Sequence, residues 1–273
     1  MKDLLYFSHG NGFPASTYRT MFDALADRFD IHTTERIGHD PRYPVSRAWP
    51  YLVDELVERV GQHANAGRNL WLVGHSLGGY LSLLAAYSMQ HRVRGVVMLD
   101  SPLLAGWRSP LVRLGQYLGL DRQFTPAGAT RYRRNHWPNR EAVLQHFSKK
   151  PVFARWHAQV LNDYVEHGTR ALDDGSRTLA FEPRTEYRIY RTVPADYGHL
   201  LKQGLSVPVG FIGGTRSREI RQIGLRATQR LVGRNLAWVE GSHLYPMERP
   251  LETAQALQQM IAQLSRIGMP TAR

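Results

Sequence analysis

The chain contains no cysteine. That excludes a disulfide, a thiolate nucleophile and a thiolate-bound metal, and it agrees with a reducing compartment. No run approaches the ~18 consecutive apolar residues that span a bilayer. The apolar stretch near the start, Leu4-Leu5-Tyr6-Phe7, is cut short by Ser8 and His9, so it is too short for a signal-peptide core. The expectation is a cytoplasmic protein with no membrane span. Acidic residues are scarce: 23 Asp and Glu against 35 Lys and Arg leave a net charge of +12. Such a balance would suit nucleic acid or another anionic partner. The basic residues are spread along the chain, however, and the tight run is limited to Arg131, Arg133 and Arg134, with no nucleic-acid motif beside it. A solvated, arginine-rich surface is the simpler reading, and a nucleic-acid partner is not expected.

What the chain has is length and rhythm. Its 273 residues, 42% of them hydrophobic, suit one α/β domain with an insertion. Apolar, β-branched runs predict strands at Leu4–Ser8, Phe29–Thr34, Leu70–Val73, Val93–Leu99, Val207–Ile212 and Leu236–Val239. Helical spacing predicts helices over Ser16–Arg28, Trp49–Ala66, Leu77–Met89, Arg218–Val232 and Pro250–Ile267, with Ser16 or Thr17 as an N-cap and Pro250 as a first helical residue. Alternating strand and helix implies a mainly parallel sheet of about six strands flanked by helices. The rhythm stops between Pro102 and Ser206. That interval carries 16 basic and nine acidic residues and much of the aromatic content, including Trp107, Trp137 and Trp156. It reads as a mostly helical insertion over one end of the sheet, with Gly168–Ser176 as a loop. The core is then 1–101 with 207–273, and 102–206 is a cap.

The strongest local signal is Gly74-His75-Ser76-Leu77-Gly78-Gly79, which follows the apolar strand and opens an apolar helix. A chain that turns sharply from strand to helix strains the backbone at Ser76, and glycines on either side remove Cβ atoms that would clash. The hydroxyl then stands clear of the sheet at a helix N-terminus, where partial positive charge favours a developing oxyanion. Without such chemistry, Ser76 would be an ordinary N-cap.

With this elbow the chain resembles the α/β-hydrolase superfamily along nearly its whole length. Three further segments agree. The first is Phe7-Ser8-His9-Gly10-Asn11-Gly12-Phe13-Pro14, where the resemblance places an oxyanion loop. It implies two backbone N–H donors, Leu77 and Asn11, with Gly12 as the fallback. The second is Arg36-Ile37-Gly38-His39-Asp40, which is similar to a structural loop of the family; His39 and Asp40 have no third ligand nearby that would suggest a metal. The third is Gly241-Ser242-His243-Leu244-Tyr245, between the last strand and the last helix, where the family carries its histidine. Imidazole has a pKa suited to taking the serine proton near neutrality. His75, next to Ser76, is expected to point away from it. The superfamily also implies that the chain starts at what is usually the third strand.

The acid is less simply placed. Many members carry it after the penultimate strand, but Arg216 or Ser217 stands at that position, with Glu219 beyond. A minority carry it one strand earlier, where this chain has Asp100. The reading is therefore Ser76 as nucleophile, His243 as base and Asp100 as acid, ahead of Glu219. The implied reaction is acyl-enzyme hydrolysis of a small-molecule carboxylic ester. Amide, lactone, thioester or C–C hydrolysis would use the same groups, and a non-catalytic ligand-binding member of the fold is the reading from another class. No cofactor and no metal are implied, and oligomeric state is left open.

Overall fold

The computed structural model describes residues 1–64, 67–105, 130, 133–194 and 196–268. Trp107 and Arg131 lie outside the described residues. The strands are β1 (Asp3–Ser8), β2 (Phe29–Thr33), β3 (Leu70–His75), β4 (Gly95–Leu99), β5 (His136–Trp137), β6 (Thr169–Ala171), β7 (Arg177–Leu179), β8 (Val209–Gly214) and β9 (Leu236–Val239). Six of them form one sheet in the order β2-β1-β3-β4-β8-β9. Every neighbouring pair in it is parallel.

A parallel sheet is covered on both faces, so its central strands are apolar throughout. In β1, Leu4 and Tyr6 enter one hydrophobic cluster and Leu5 and Phe7 the other, because side chains alternate along a strand. On one face lie α1 (Arg19–Asp23) and, at the far end of the chain, a long helix over Pro250–Ser265. On the other face lie α2 (Pro50–His63) and α3 (Leu77–Ser88). Pro50 and Pro250 both occupy first-turn positions, where a missing N–H costs no hydrogen bond.

Two helices differ from the sequence expectation. Ser16 and Thr17 cap nothing: a 3₁₀ turn over Ala15–Tyr18 precedes α1, and Ser16 donates from N and Oγ to the Glu35 carboxylate. Arg218–Val232 is two helices, broken at Gly224, whose φ of 82° ends the first.

The described part of 102–206 is helical with one departure. It contains α4 (Arg140–Ser148), α5 (Ala158–His167), α6 (Pro183–Arg191) and α7 (Gly198–Gln203). It also contains a three-stranded antiparallel sheet, β5-β7-β6, that the sequence reading missed. Strands of two and three residues are too short for alternation to register. The expected loop at Gly168–Ser176 narrows accordingly: Thr169–Ala171 is strand, and the turn comes at Asp174, which accepts from Ser176 N and Oγ. Trp137, Phe147, Trp156 and Tyr164 are buried in the same cluster as Leu5 and Phe7, so these aromatics serve as core. The segment is tied to the sheet by Arg19 to Asp163 (2.8 Å), Arg36 to the Ala180 carbonyl (2.9 Å) and Glu182 N to His39 Nε2 (3.0 Å).

After α7 come α8 (Arg218–Ile223), α9 (Arg226–Val232), α10 (Tyr245–Glu248) and α11, the Pro250–Ser265 helix. Among the described residues no helix is long and apolar enough to cross a membrane. Leu257 in α11 is fully buried against the sheet. Leu257→Ala is expected to cost about 2–5 kcal/mol of stability, read as a lowered midpoint in urea unfolding.

Candidate active site

The ends of β3, β4 and β8 define the site. β3 runs into α3 through Ser76, whose φ of 52° and ψ of −115° are not ordinary for a residue with a Cβ. Such a backbone costs on the order of 1–3 kcal/mol and persists only where its surroundings impose it. Here the Ser76 N–H donates to the Leu99 carbonyl (2.9 Å) and the Ser76 carbonyl accepts from Ser101 Oγ (2.8 Å). The flanking glycines allow the close approach: a Cβ at Gly78 would overlap the Ser8 carbonyl at the end of β1, and one at Gly74 would overlap the Gly78 backbone.

Asp100 follows β4 with a φ of 47° and is fully buried. Its Oδ2 accepts the Gly214 N–H (2.6 Å) at the end of β8, and its Oδ1 accepts from Ser217 Oγ (2.6 Å) and from His243 Nδ1 (2.8 Å). A carboxylate only accepts, so the His243 proton is on Nδ1 and the Nε2 lone pair faces Ser76 Oγ at 3.0 Å. Ser76, His243 and Asp100, far apart in sequence, thus form one continuous line. Glu219 Oε2 stands 3.7 Å from the same Nδ1, farther than Asp100 and more exposed.

The electrostatics follow. Burial opposes charge on His243, but the hydrogen bond and charge of Asp100, with the charge of Glu219, outweigh it and raise its pKa above the ordinary imidazole value. Ligand atoms of Asp100, Glu219 and His243 lie within 4.8 Å of one another. Asp100 Oδ1 and Oδ2 already accept from three donors and Nδ1 holds a proton, so this donor set does not suit a cation.

The loop carrying His243 is fixed from both sides. Glu248 accepts from Ser242 N (2.9 Å) and Oγ (2.6 Å), and Tyr245 Oη donates to the Ile212 carbonyl (2.9 Å). Neither Leu77 N nor Asn11 N donates to any acceptor among the described residues, so both remain available. The Asn11 side chain instead donates to the Glu186 carbonyl (3.0 Å) in α6. The loop after β1 is anchored by buried His9, which donates from Nδ1 to the Gly10 carbonyl and accepts the Ile37 N–H at Nε2, both at 2.8 Å. Burial keeps His9 neutral, with a pKa pushed down to about 4.

Sequence reasoning missed Ser217, Glu248, Tyr18 and the pair Arg133–Glu186. Ser217, which with Arg216 occupies the position where the resemblance implied a carboxylate, instead donates from Oγ to Asp100 Oδ1 at the end of the neighbouring strand. Arg133, read as part of a surface run, turns inward to Glu186 Oε2 (2.7 Å) and Tyr164 Oη (2.9 Å). His39 accepts a backbone N–H and packs on Phe181, a structural role as expected.

A mostly parallel sheet with this strand–serine–helix turn at its carboxyl edge defines an α/β hydrolase. The model of the Alpha/beta hydrolase family matches residues 5–256, and the chain belongs to that family. Among solved structures it is similar to E-2-(acetamidomethylene)succinate hydrolase, with 22% identity over 96% of this chain and 92% of that one and a TM-score of 0.73. It is also similar to the thioesterase domain from the curacin biosynthetic pathway, with 16% identity, coverage of 94% and 91% and a TM-score of 0.69. An esterase of M. tuberculosis follows, with 20% identity, coverage of 96% and 86% and a TM-score of 0.67. No curated protein sequence matches the chain significantly.

Gly78→Ala tests the elbow. The added Cβ must push β1 from α3, so the variant is expected to lose roughly 1–3 kcal/mol in urea unfolding, while Ala at exposed Gly61 in α2, whose Cβ would meet open space, leaves the elbow untouched.

Proposed function

We propose that the chain is a serine hydrolase that cleaves a small-molecule carboxylic ester through an acyl-enzyme. The observation that carries this is the line Ser76 Oγ–His243 Nε2 (3.0 Å) and His243 Nδ1–Asp100 Oδ1 (2.8 Å), ending on a buried carboxylate. In this reading Ser76 Oγ attacks the carbonyl carbon while Nε2 takes its proton. The carbonyl oxygen gains the negative charge and accepts from the N–H groups of Leu77 and Asn11. Collapse expels the alcohol, protonated by the imidazolium. Water then attacks the acyl-enzyme with the same proton shuttle, releasing the acid and restoring Ser76. Asp100 holds the imidazole in the tautomer that accepts from serine.

Residues 102–206 act in this proposal as the cap. Support comes from α6, which meets the oxyanion loop where the Glu186 carbonyl accepts from Asn11 and where a Cβ on Gly12 would lie 2.6 Å from Glu186 Oε1. The choice of an ester rests on its leaving group, which needs the least assistance. The thioesterase among the similar structures makes a thioester the first competing bond to include in a substrate panel.

A fluorophosphonate probe is expected to label Ser76, and Ser76→Ala to abolish both labelling and turnover of p-nitrophenyl esters. Mass spectrometry of the labelled peptide checks this; normal ester turnover by unlabelled, folded protein would sink the serine mechanism. Asp100→Asn is expected to lower kcat by about 10⁴ while the protein stays folded. Full activity in Asp100→Asn with loss in Glu219→Gln would move the acid role to Glu219.

The pH profile has a fixed sign. A base must be unprotonated to accept, so kcat/KM falls as pH drops through the His243 pKa. Because that pKa is raised, the acid limb is expected above the ordinary imidazole value of 6.5. Glu219→Gln removes one stabilising charge and should move the limb to lower pH.

A further inference from the structure

Beneath the His243 loop lies a second hydrogen-bonded line, and it joins the two halves of the site. Gly10 N donates to Tyr18 Oη (3.0 Å), Tyr18 Oη meets His75 Nδ1 (2.7 Å), and His75 Nε2 meets the backbone carbonyl of His243 (2.9 Å). Tyr18 and His75 are each 1% exposed, so bulk solvent reaches neither. The directions are set by chemistry. A carbonyl only accepts, so His75 carries its proton on Nε2. Burial, with His243 close by, holds His75 neutral, at a pKa pushed down to about 3. Nδ1 is then a lone pair, the Tyr18 O–H donates to it, and the Tyr18 oxygen accepts from Gly10. Every member points one way, from the oxyanion loop to the loop of the base. The spacing admits nothing larger than glycine at its head: a Cβ on Gly10 would stand 2.8 Å from His75 Nδ1 and 3.0 Å from Tyr18 Oη.

We propose that His75 and Tyr18 are positioning residues that lock the His243 backbone to the oxyanion loop through this relay. The inference rests on the hydrolase reading of the same site. It follows from where the line ends. The His243 carbonyl is the backbone of the residue whose ring must sit 2.8 Å from Asp100 and 3.0 Å from Ser76. Its other end is the N–H of Gly10, next to Asn11. A shift of one loop is thereby felt by the other, and small displacements of reacting groups cost large factors in rate. The neutrality of His75 matters too. Its ring centroid is 5.1 Å from that of His243, where a second cation would oppose the imidazolium. The titratable groups facing His243 are Asp100, Glu219 and His75; those facing His75 are Tyr18, His9 and His243.

Four variants of the full chain test this. Tyr18→Phe removes one hydroxyl. His75→Gln keeps an N–H at the place of Nε2 but loses the acceptor for Tyr18. His75→Asn keeps that acceptor but is too short to reach the His243 carbonyl. His75→Leu removes both bonds. Steady-state kinetics on a p-nitrophenyl ester, unfolding temperature and an NMR titration of the His243 ring are read for each. Tyr18→Phe and His75→Asn are expected to lower kcat about tenfold with KM within about twofold, the scale of one lost buried hydrogen bond. His75→Leu, which removes both bonds, should lower it further, and His75→Gln, which breaks the link to Tyr18 alone, should fall between the parent chain and His75→Leu. The His243 pKa should fall in Tyr18→Phe and His75→Asn, as the ring loosens from Asp100. The proposal is overturned if the variants change only the unfolding temperature while kcat and the His243 titration stay as in the parent chain. It is also overturned if His75→Gln matches the parent chain in kcat and in the His243 titration, since it breaks the link to Tyr18. The NMR titration reads the relay whether or not an ester is cleaved. A shifted titration in a protein that cleaves no ester and takes no fluorophosphonate would overturn the hydrolase reading and leave the relay standing.

Discussion

A fully buried carboxylate with one ring to orient organises this molecule. Moving a charge out of water costs several kcal/mol unless donors replace the lost solvent. Asp100 receives three, and each comes from a different part of the chain: Gly214 N from the end of β8, Ser217 Oγ from the start of α8, and His243 Nδ1 from the loop after β9. Those donors reach the carboxylate only because their elements meet at the end of β4. The parallel pairing of β4 with β8 brings the first two within reach, since the Asp100 N–H itself continues the ladder to the Ile212 carbonyl (2.9 Å). The third arrives because β9 pairs with β8 and its following loop is pinned by Glu248 and Tyr245. The position of His243 is therefore a consequence of satisfying Asp100 as much as of any demand made by Ser76.

The elbow adds the second constraint. The strained backbone of Ser76 is held by Leu99 below and Ser101 beside it, both from the strand end that carries Asp100. The same turn presses Gly78 onto the carbonyl of Ser8, which fixes where the chain leaves β1 and enters His9-Gly10-Asn11. Ser76, Asp100 and the His9-Gly10-Asn11 segment are thus set by three adjacent strand ends, those of β3, β4 and β1. Around the imidazole the charges favour its protonated form: Asp100 and Glu219 flank Nδ1, and the neighbouring His75 is kept neutral by burial.

The sequence made the sheet legible because its signals are local. Leu4 to Phe7 and Leu70 to Val73 are apolar at every position, as strands buried on both faces must be, and the six strands lie within a few residues of their expected places. Ser76, His243 and Asp100 were legible from motif context and chain order. What stayed hidden is contact between distant segments. Nothing near Tyr18 in sequence points to His75, 57 residues away, and nothing near Ser217 points to Asp100, 117 residues earlier. The short strands β5, β6 and β7 stayed hidden for a different reason, being too short for a period-two alternation to repeat. Gly224 was visible as a residue but not as a break, since a glycine inside a helical pattern is often tolerated.

The basic run shows how charge read from sequence changes meaning in three dimensions. Arg133 belongs by position to a cluster that suggests an anionic partner, yet its guanidinium faces inward to Glu186 and Tyr164. Glu186 in turn has its Oε1 within 2.6 Å of where a Cβ on Gly12 would sit, beside the oxyanion loop. A lone carboxylate there would oppose any negative charge developing on a carbonyl held by Asn11. Burial raises the Glu186 pKa, and the Arg133 charge and hydrogen bond act against that rise, so the pair keeps its local field near neutral. One arginine of the basic run is thus paired with a buried carboxylate, and that carboxylate sits on the helix whose backbone carbonyl receives the Asn11 side chain. Among the described residues, α6 approaches the His9-Gly10-Asn11 segment this closely with an acidic group, Glu186, that carries its own counter-ion.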